Sequence, residues 1–405
     1  MYKSHHNTSH ILRSLSITAL LIFSLAVNTT AGFAQTDAPN PSQTTGIITT
    51  GPNNVMAIAN DNSLWMWAEF PGINVPHNPL PYQQVLRILT ESVKYAAAGE
   101  MHTLAIKTDN TLWAWGANSS GQLGNGTNKM IPPVIPVLPI EEGPLINDNE
   151  MVKVMDSVIM AAASGEMSMA VKDDGTLWAW GRNTGGLMWE KNEETRLSPV
   201  KMMDDVAMVS LGDAYVMALK TDGSVWTWGR NQAGVLGDGS DKDRREPLQI
   251  MDSVVYISAG DGHAAAIKTN GSLWMWGDNV FGGVGDGTLI NRFKPVKIMD
   301  SVVDVAAGAG HTIALKDDGS AWTWGANSTL QLNSDAVPDI KNRIMIMDSV
   351  AFIAAGAYYA AVKTDNSLWV WGNQIYNANG FGTALSSNAP VKIMDDILQP
   401  PDGGE

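Results

Sequence analysis

Apolar and polar side chains alternate in short runs from about residue 46 to residue 397, and Gly, Asp, Asn or Ser separates one run from the next. Period-two alternation over so short a run predicts a half-buried strand, because an amphipathic helix needs an apolar stripe at roughly 3.6-residue spacing over about ten or more positions. Segment 294–325 shows the unit whole. Its runs are Lys294-Pro-Val-Lys-Ile-Met299, Val302-Val-Asp-Val-Ala-Ala-Gly308, His311-Thr-Ile-Ala-Leu-Lys316 and Ser320-Ala-Trp-Thr-Trp324. Between the last two lies Asp318-Gly319, a dipeptide that tolerates positive φ and so suits a tight hairpin. Its counterparts are Asp61-Asn62, Asp109-Asn110, Asp174-Gly175, Asp222-Gly223, Asn270-Gly271 and Asp365-Asn366.

The unit recurs seven times. Fourteen of the 15 tryptophans form Trp-x-Trp pairs: Trp65/Trp67, Trp113/Trp115, Trp178/Trp180, Trp226/Trp228, Trp274/Trp276, Trp322/Trp324 and Trp369/Trp371. Successive pairs stand 48, 65, 48, 48, 48 and 47 residues apart. Residues i and i+2 of a strand share a face, so both indoles are expected to pack between neighbouring sheets. A unit of four short strands with no core of its own, repeated seven times, predicts an all-β fold: a seven-bladed β-propeller of four-stranded antiparallel blades.

The first pair lacks a preceding Pro-Val-Lys-Ile-Met-Asp run, and such a run, Pro390 to Ile397, ends the repeats with no pair after it. The ring is therefore expected to close by the C-terminal strand joining the N-terminal blade. Residues 46–397 form the propeller, and residues 398–405 are expected to be a disordered tail. At the other end, Lys3 and Arg13 precede an apolar run from Ile17 to Val27 and the small-residue stretch Ala31-Gly-Phe-Ala34. That order predicts a signal peptide over residues 1–34, the run being too short for a comfortable membrane span. A Pro/Thr/Ser-rich linker, residues 35–45, follows.

The run Ala-Ala-Gly-x-x-His-Thr-x-Ala-Leu-Lys-x-Asp-Gly-Ser-x-Trp-x-Trp-Gly-x-Asn, nearly whole at residues 306–327, resembles the regulator of chromosome condensation repeat family, as does Gly-Gln-Leu-Gly-Asn-Gly-Thr at 121–127. The resemblance extends over roughly residues 46–397. It implies the propeller fold and is nearly silent on activity. The family's founder is a nuclear exchange factor for a small GTPase that binds chromatin. This chain, with its leader and acidic balance and without a basic tail, is closer by compartment to the secreted bacterial branch, which includes a propeller-shaped inhibitor of β-lactamases. No contact residue carries over from that inhibitor by motif.

Charge narrows the partners. Without the leader, 24 basic side chains face 41 acidic ones, a balance that repels phosphate backbones and anionic headgroups. Nucleic acid and membrane insertion of the mature chain are therefore not expected. A cationic partner fits this balance, and so does acidity that merely keeps an exported protein soluble. The absence of cysteine excludes disulfides, thiol catalysis and Cys-ligated zinc.

His102, His263 and His311 recur in the Gly-x-x-His context of blades two, five and six, with Asn54, Ser168, Tyr215 and Tyr359 aligned there in the others. A structural role is favoured over metal binding, because these residues lie on separate blades. Asp238-Gly-Ser-Asp-Lys-Asp243 has turn composition and lacks the spacing of a calcium loop. No nucleophile elbow, zinc helix or phosphate loop occurs, so no catalytic residue, metal ligand or cofactor is assigned.

Departures from the repeat are more informative. Trp189 stands where Gly124, Gly237 and Gly285 stand in other units, and Phe281, Tyr376, Phe381 and Phe70 fall in related loops. Together they suggest an aromatic binding rim, since aromatics dominate interface contact area. Alternatively, each plugs a gap in its own loop. The Pro-rich insertion 130–150 behind the 65-residue step is either a binding loop or neutral. The expectation is an exported, non-enzymatic, monomeric propeller that holds a protein or cell-envelope partner on one loop face. The alternative is a secreted enzyme or inhibitor working at the rim or central channel, with His263 and His311 contributing.

Overall fold

The computed structural model describes residues 48–51, 54–58, 61–68, 87–129, 151–189, 195–327, 339–356, 358–376 and 384–394. Within them, 28 strands pair antiparallel into seven sheets of four, the all-β seven-bladed propeller that the repeat predicts. No helix among the described residues is long and apolar enough to cross a membrane. The leader, the linker, the insertion 130–150 and the tail all lie outside the described residues.

Each blade uses four consecutive strands, so blades one to seven span residues 48–90, 93–155, 158–203, 206–251, 254–299, 302–347 and 350–394. The first strands of adjacent blades touch around a complete ring, and Val350–Ala355 against Ile48–Thr50 makes the final contact. First strands are therefore innermost and fourth strands outermost.

This order corrects two expectations. The Pro-Val-Lys-Ile-Met run does not open the blade whose tryptophans follow it. It forms the outer strand of the blade before, as where Leu273 pairs with Met299 and Trp274 with Lys297. Ring closure by the C-terminal strand joining the N-terminal blade is likewise overturned: Ala384–Met394 pairs with Leu368–Tyr376 inside blade seven. Blade one has its own outer strand, Arg87–Thr90, with Thr90 opposite Leu64 where Met155 stands opposite Leu112. The cause is cyclic. A repeat can be cut between any two strands, and the cut chosen from sequence lay one strand away from the sheet boundary. The run at 87–92, Arg-Ile-Leu-Thr-Glu-Ser, is the seventh copy, with Thr in place of Met.

The paired tryptophans divide their labour. The second indole is fully buried in Trp180, Trp228, Trp276 and Trp324. Each donates Nε1–H at 2.8 Å to a carbonyl of the preceding blade's loop, at Gln122, Leu187, Val235 and Gly283 respectively. These indoles join blade to blade as expected.

For the other three second indoles, Trp67, Trp115 and Trp371, no such bond lies among the described residues. Trp115 is buried in one apolar cluster with Met56, Ile58 and Leu64 of blade one. Trp371 is fully buried in a cluster with Ile313 and Leu315 of blade six, and it stacks on Tyr359 with ring centroids 5.3 Å apart. Both therefore pack between blades, but the Trp371 Nε1–H finds no acceptor among the described residues. Three of the four bonds above reach back 41 residues. The same offset from Trp115 and Trp371 falls within segments 69–86 and 328–338, outside the described residues. Trp67 pairs with Val55 through its backbone, and its side chain lies outside the described residues.

The first indole does not pack as the second does and is half-buried in blades two to seven. Its N–H is capped by the Ser or Thr two residues earlier, which in turn donates to the hairpin's Asp or Asn: Trp226 Nε1 to Ser224 Oγ is 2.9 Å and Ser224 Oγ to Asp222 Oδ1 is 2.6 Å. The same relay recurs from Asp61-Ser63-Trp65 to Asp365-Ser367-Trp369. In blades two, four, five and seven a lysine lies over the ring, at 4.9 Å for Lys107 on Trp113. The hairpin turn thus fixes an amphipathic ring that keeps one edge near water.

At the axis, the third residue of the inner strand in blades two to seven is bulky or acidic: Tyr95, Met160, Met208, Tyr256, Asp304 and Phe352, all buried. Tyr256 donates its hydroxyl to Asp304; burial first, then Asp304, and last Tyr95 from the far side of the ring, raise the Tyr256 phenol. Burial pushes the Asp304 carboxyl up to about 7. At this level the central channel is filled by side chains.

Candidate functional site

Two sets of loops share one face of the disc. One joins first and second strands. It carries Gly-x-x before the recurring His, and the ring that follows lies against that glycine: a Cβ at Gly308 would overlap the His311 imidazole, and one at Gly212 the Tyr215 ring. The other follows each Trp-x-Trp-Gly and is organised by a buried Asn. Asn279 Nδ2 donates to Asp286 Oδ1 at 3.1 Å and to the Thr288 and Ile290 carbonyls, while its Oδ1 accepts Val284 N–H at 2.9 Å. Asn118 and Asn231 do the same for their own loops. A buried amide that satisfies several backbone groups holds an irregular loop rigid.

The histidines are struts between blades. His102 Nε2 lies 2.8 Å from Ser168 Oγ, and His263 Nε2 lies 2.8 Å from Thr312 Oγ1. Each hydroxyl donates its own hydrogen to a carbonyl, at Gln122 and Gly283 respectively. Nε2 must therefore be the protonated nitrogen, leaving Nδ1 as acceptor. Burial lowers His102 and His263 to about 4 and His311 to about 3, so all three are neutral near pH 7. The sheet register also corrects the alignment: Met167 and Tyr358, not Ser168 and Tyr359, occupy the histidine position. Ser168 and Tyr359 stand one residue on, where they meet the histidine of the blade before, Tyr359 at 4.6 Å from His311.

Between blades four, five and six this face opens into a pocket of about 290 Å³, lined by Asp213, Arg230, Asp261, His263, Asp278, Phe281 and Gly310 among others. Burial and then the neighbouring Asp213 raise the Asp261 carboxyl. Beside the pocket, the second loop of blade five exposes Val280, Phe281, Leu289 and Ile290, Ile290 at 63%. Blade four has Gln232, Ala233, Asp241 and Lys242 at these places, and blade two has Ser119, Ser120, Asn128 and Lys129. Compared with these two described counterparts, the blade-five loop has exchanged a largely polar surface for an apolar one.

A family profile described as the RCC1-like domain matches residues 73–402. The chain belongs to the RCC1-like domain family. Solved structures agree on the fold. Human WBSCR16 is 21% identical, with TM-score 0.65 over 80% of this chain and 88% of that one. Prp20p from Saccharomyces cerevisiae is 23% identical, with TM-score 0.59 over 74% and 76%. A chain from the structure described as Kap60 bound to yeast RCC1 (Prp20) is 22% identical, with TM-score 0.60 over 75% of each. No curated protein matches the chain by sequence.

In this RCC1-like propeller the aromatic residues singled out from sequence do not stand in equivalent settings. Phe281 is 50% exposed at the pocket lip. Trp189 is half-buried, its ring edge-on to Trp228 with centroids 5.9 Å apart. It keeps the left-handed backbone of the glycines it replaces, at φ 61°. At those glycines a side chain would collide with the next blade's tryptophan, the Cβ at Gly237 coming within 2.7 Å of Trp276 Nε1. Trp189 plugs its own loop against the neighbouring indole. Phe70 and Phe381 lie outside the described residues, as does the side chain of Tyr376.

Asp238 is held by its own turn and by Arg244, and it accepts Ser240 N–H at 2.8 Å. Sequence reasoning passed over the exposed Leu289 and Ile290 and the acidic Asp213, Asp261 and Asp278. Comparing each loop with its counterparts for polar-to-apolar exchange would have found the first pair.

Proposed function

We propose that this RCC1-like propeller is an exported, non-catalytic scaffold that binds a protein partner on the face carrying the pocket. The observation that carries this reading is the blade-five loop. Four large apolar side chains exposed on one loop, where the described counterparts in blades two and four are largely polar, mark a contact surface more strongly than scattered exposure does. Met101, 73% exposed in the blade-two loop on the same face, adds to it. The family supports a binding role in general terms, since the yeast relative's structure is described as bound to Kap60 and another as addressing binding to Gsp1p and histones.

The leader supports export, and residues 1–34 are proposed to be removed as a signal peptide. Placement within a secreted bacterial branch, a monomeric state and indifference to nucleic acid belong to the same proposal. A crosslinking capture tests the face: wild type and Phe281→Asp/Ile290→Asp are compared with Asp174→Lys on the opposite face. Loss of a specific crosslinked protein only in the first variant supports the reading, and equal capture by all three overturns it. N-terminal sequencing of the exported chain tests the leader, and a start before residue 30 overturns its removal.

A further inference from the structure

Three carboxylates border the pocket, and one of them, Asp278, stands where blades three and four carry Arg182 and Arg230. In blade three, Glu166 at the first loop pairs with Arg182 of the second at 3.0 Å and also accepts the Ser119 and Ser120 hydroxyls. In blade five the positions of Glu166 and Arg182 are Gly262 and Asp278, so that ion pair is gone and an acid stands in the cation's place on the wall shared with Asp213 and Asp261. Arg230 is the one basic side chain in the lining. The wall therefore carries an excess of negative charge next to an apolar lip, Phe281.

The second observation is His263. It is fully buried and forms part of the pocket lining, its Nε2–H is committed to Thr312, and its Nδ1 has no hydrogen-bond partner among the described residues. An unpaired acceptor costs about 1–3 kcal/mol unless something donates to it. Carboxylates and an imidazole acceptor around one cavity ask for the same complement, a group rich in N–H donors that carries positive charge. The aromatic lip favours such a group as well, since a cation rests well against a ring face. A volume near 290 Å³ admits one long side chain with its stem.

We propose that this pocket receives an arginine or lysine side chain of the partner protein, its charged head among Asp213, Asp261 and Asp278 and its stem against Phe281. This rests on the reading of the face as a partner surface and adds the chemistry of the residue at its centre.

The probes are two capped tripeptides, acetyl-Leu-Arg-Leu-amide and its citrulline counterpart, which keeps shape and N–H donors but loses the charge. They are titrated into the whole protein by NMR line-shape analysis, beside Asp261→Asn/Asp278→Asn and Phe281→Ala. Binding of the arginine peptide at least tenfold tighter than the citrulline one, weakened at least tenfold by the double Asn variant with an unchanged melting temperature, supports the pocket. Equal binding of both peptides, or no effect of the double variant, overturns it. Should the double variant fail to fold, raising NaCl from 50 to 500 mM on wild type gives a second reading: unchanged arginine-peptide affinity overturns the proposal. Partner capture that persists while the peptides fail to discriminate would remove the pocket alone, whereas capture that ignores the Phe281→Asp/Ile290→Asp pair would remove the face.

Discussion

Asp304 permits a prediction whose size follows from the structure. Its carboxyl sits at the filled axis, with Oδ1 unpaired among the described residues, and burial pushes it up to about 7 against an ordinary value of 3.8. Between those values the folded chain holds a proton that the unfolded chain has released, so stability falls as pH rises. The contribution is fully present below the unfolded value and is lost as pH climbs through the folded one. Three pKa units at about 1.4 kcal/mol each set a ceiling near ~4 kcal/mol, of which about 2.5 kcal/mol is lost between pH 5 and pH 8.

Asp304→Asn keeps the shape and the acceptor for Tyr256 but cannot ionise. Chemical denaturation of both proteins, followed by tryptophan fluorescence, gives the stability difference at each pH. It should move in favour of the variant by about 2 kcal/mol from pH 5 to pH 8, histidine effects cancelling because both proteins share them. A difference that stays constant across that range would refute the argument that the buried carboxyl is strained by ionisation.

The remaining expectations concern the joints between blades. His102, His263 and His311 must gain protons to unfold in acid, so each withdraws about 3 kcal/mol as pH falls from 6.5 toward 4; His102→Gln should flatten the acid limb of the stability profile. Trp324→Phe removes the donor to Gly283 while leaving most of the ring, and should cost about 1–3 kcal/mol in a urea titration. Gly237→Ala, at φ 73° and with its Cβ against Trp276, should cost more than the 1 kcal/mol or so of an ordinary glycine substitution, seen as a lower melting temperature. Trp189→Phe should retain most of the stability that Trp189→Ala loses, as judged by melting, because its ring packs on Trp228.

The Trp-x-Trp interval alone establishes the blade number, because a unit of four short strands cannot bury its faces until neighbours stack on it. Asp-Gly, Asn-Gly and Asp-Asn dipeptides likewise locate the hairpin between second and third strands of each blade from local backbone chemistry. The blade boundary was not legible, since a cyclic pattern has no intrinsic beginning; only hydrogen bonding of Met299 to blade five, and of Ala384–Met394 within blade seven, decides it. The role of Trp189 was ambiguous for a related reason. Its departure from glycine is visible in the chain, but whether the indole faces solvent or Trp228 depends on where blade four stands.

The same division holds for the candidate site. Residue type and repeat position mark His263, Asp261, Asp278 and Phe281 as separate items in separate turns. Their meeting around one pocket comes from the ring, which brings loops 48 residues apart in sequence side by side on one face. By itself the amino-acid sequence determines what is local and periodic: strands, turns, their number and the positions that break the pattern. Tertiary structure decides which sheet each outer strand joins, which indoles are sealed between blades, and which acids meet around one pocket, because these depend on contacts that no single repeat contains.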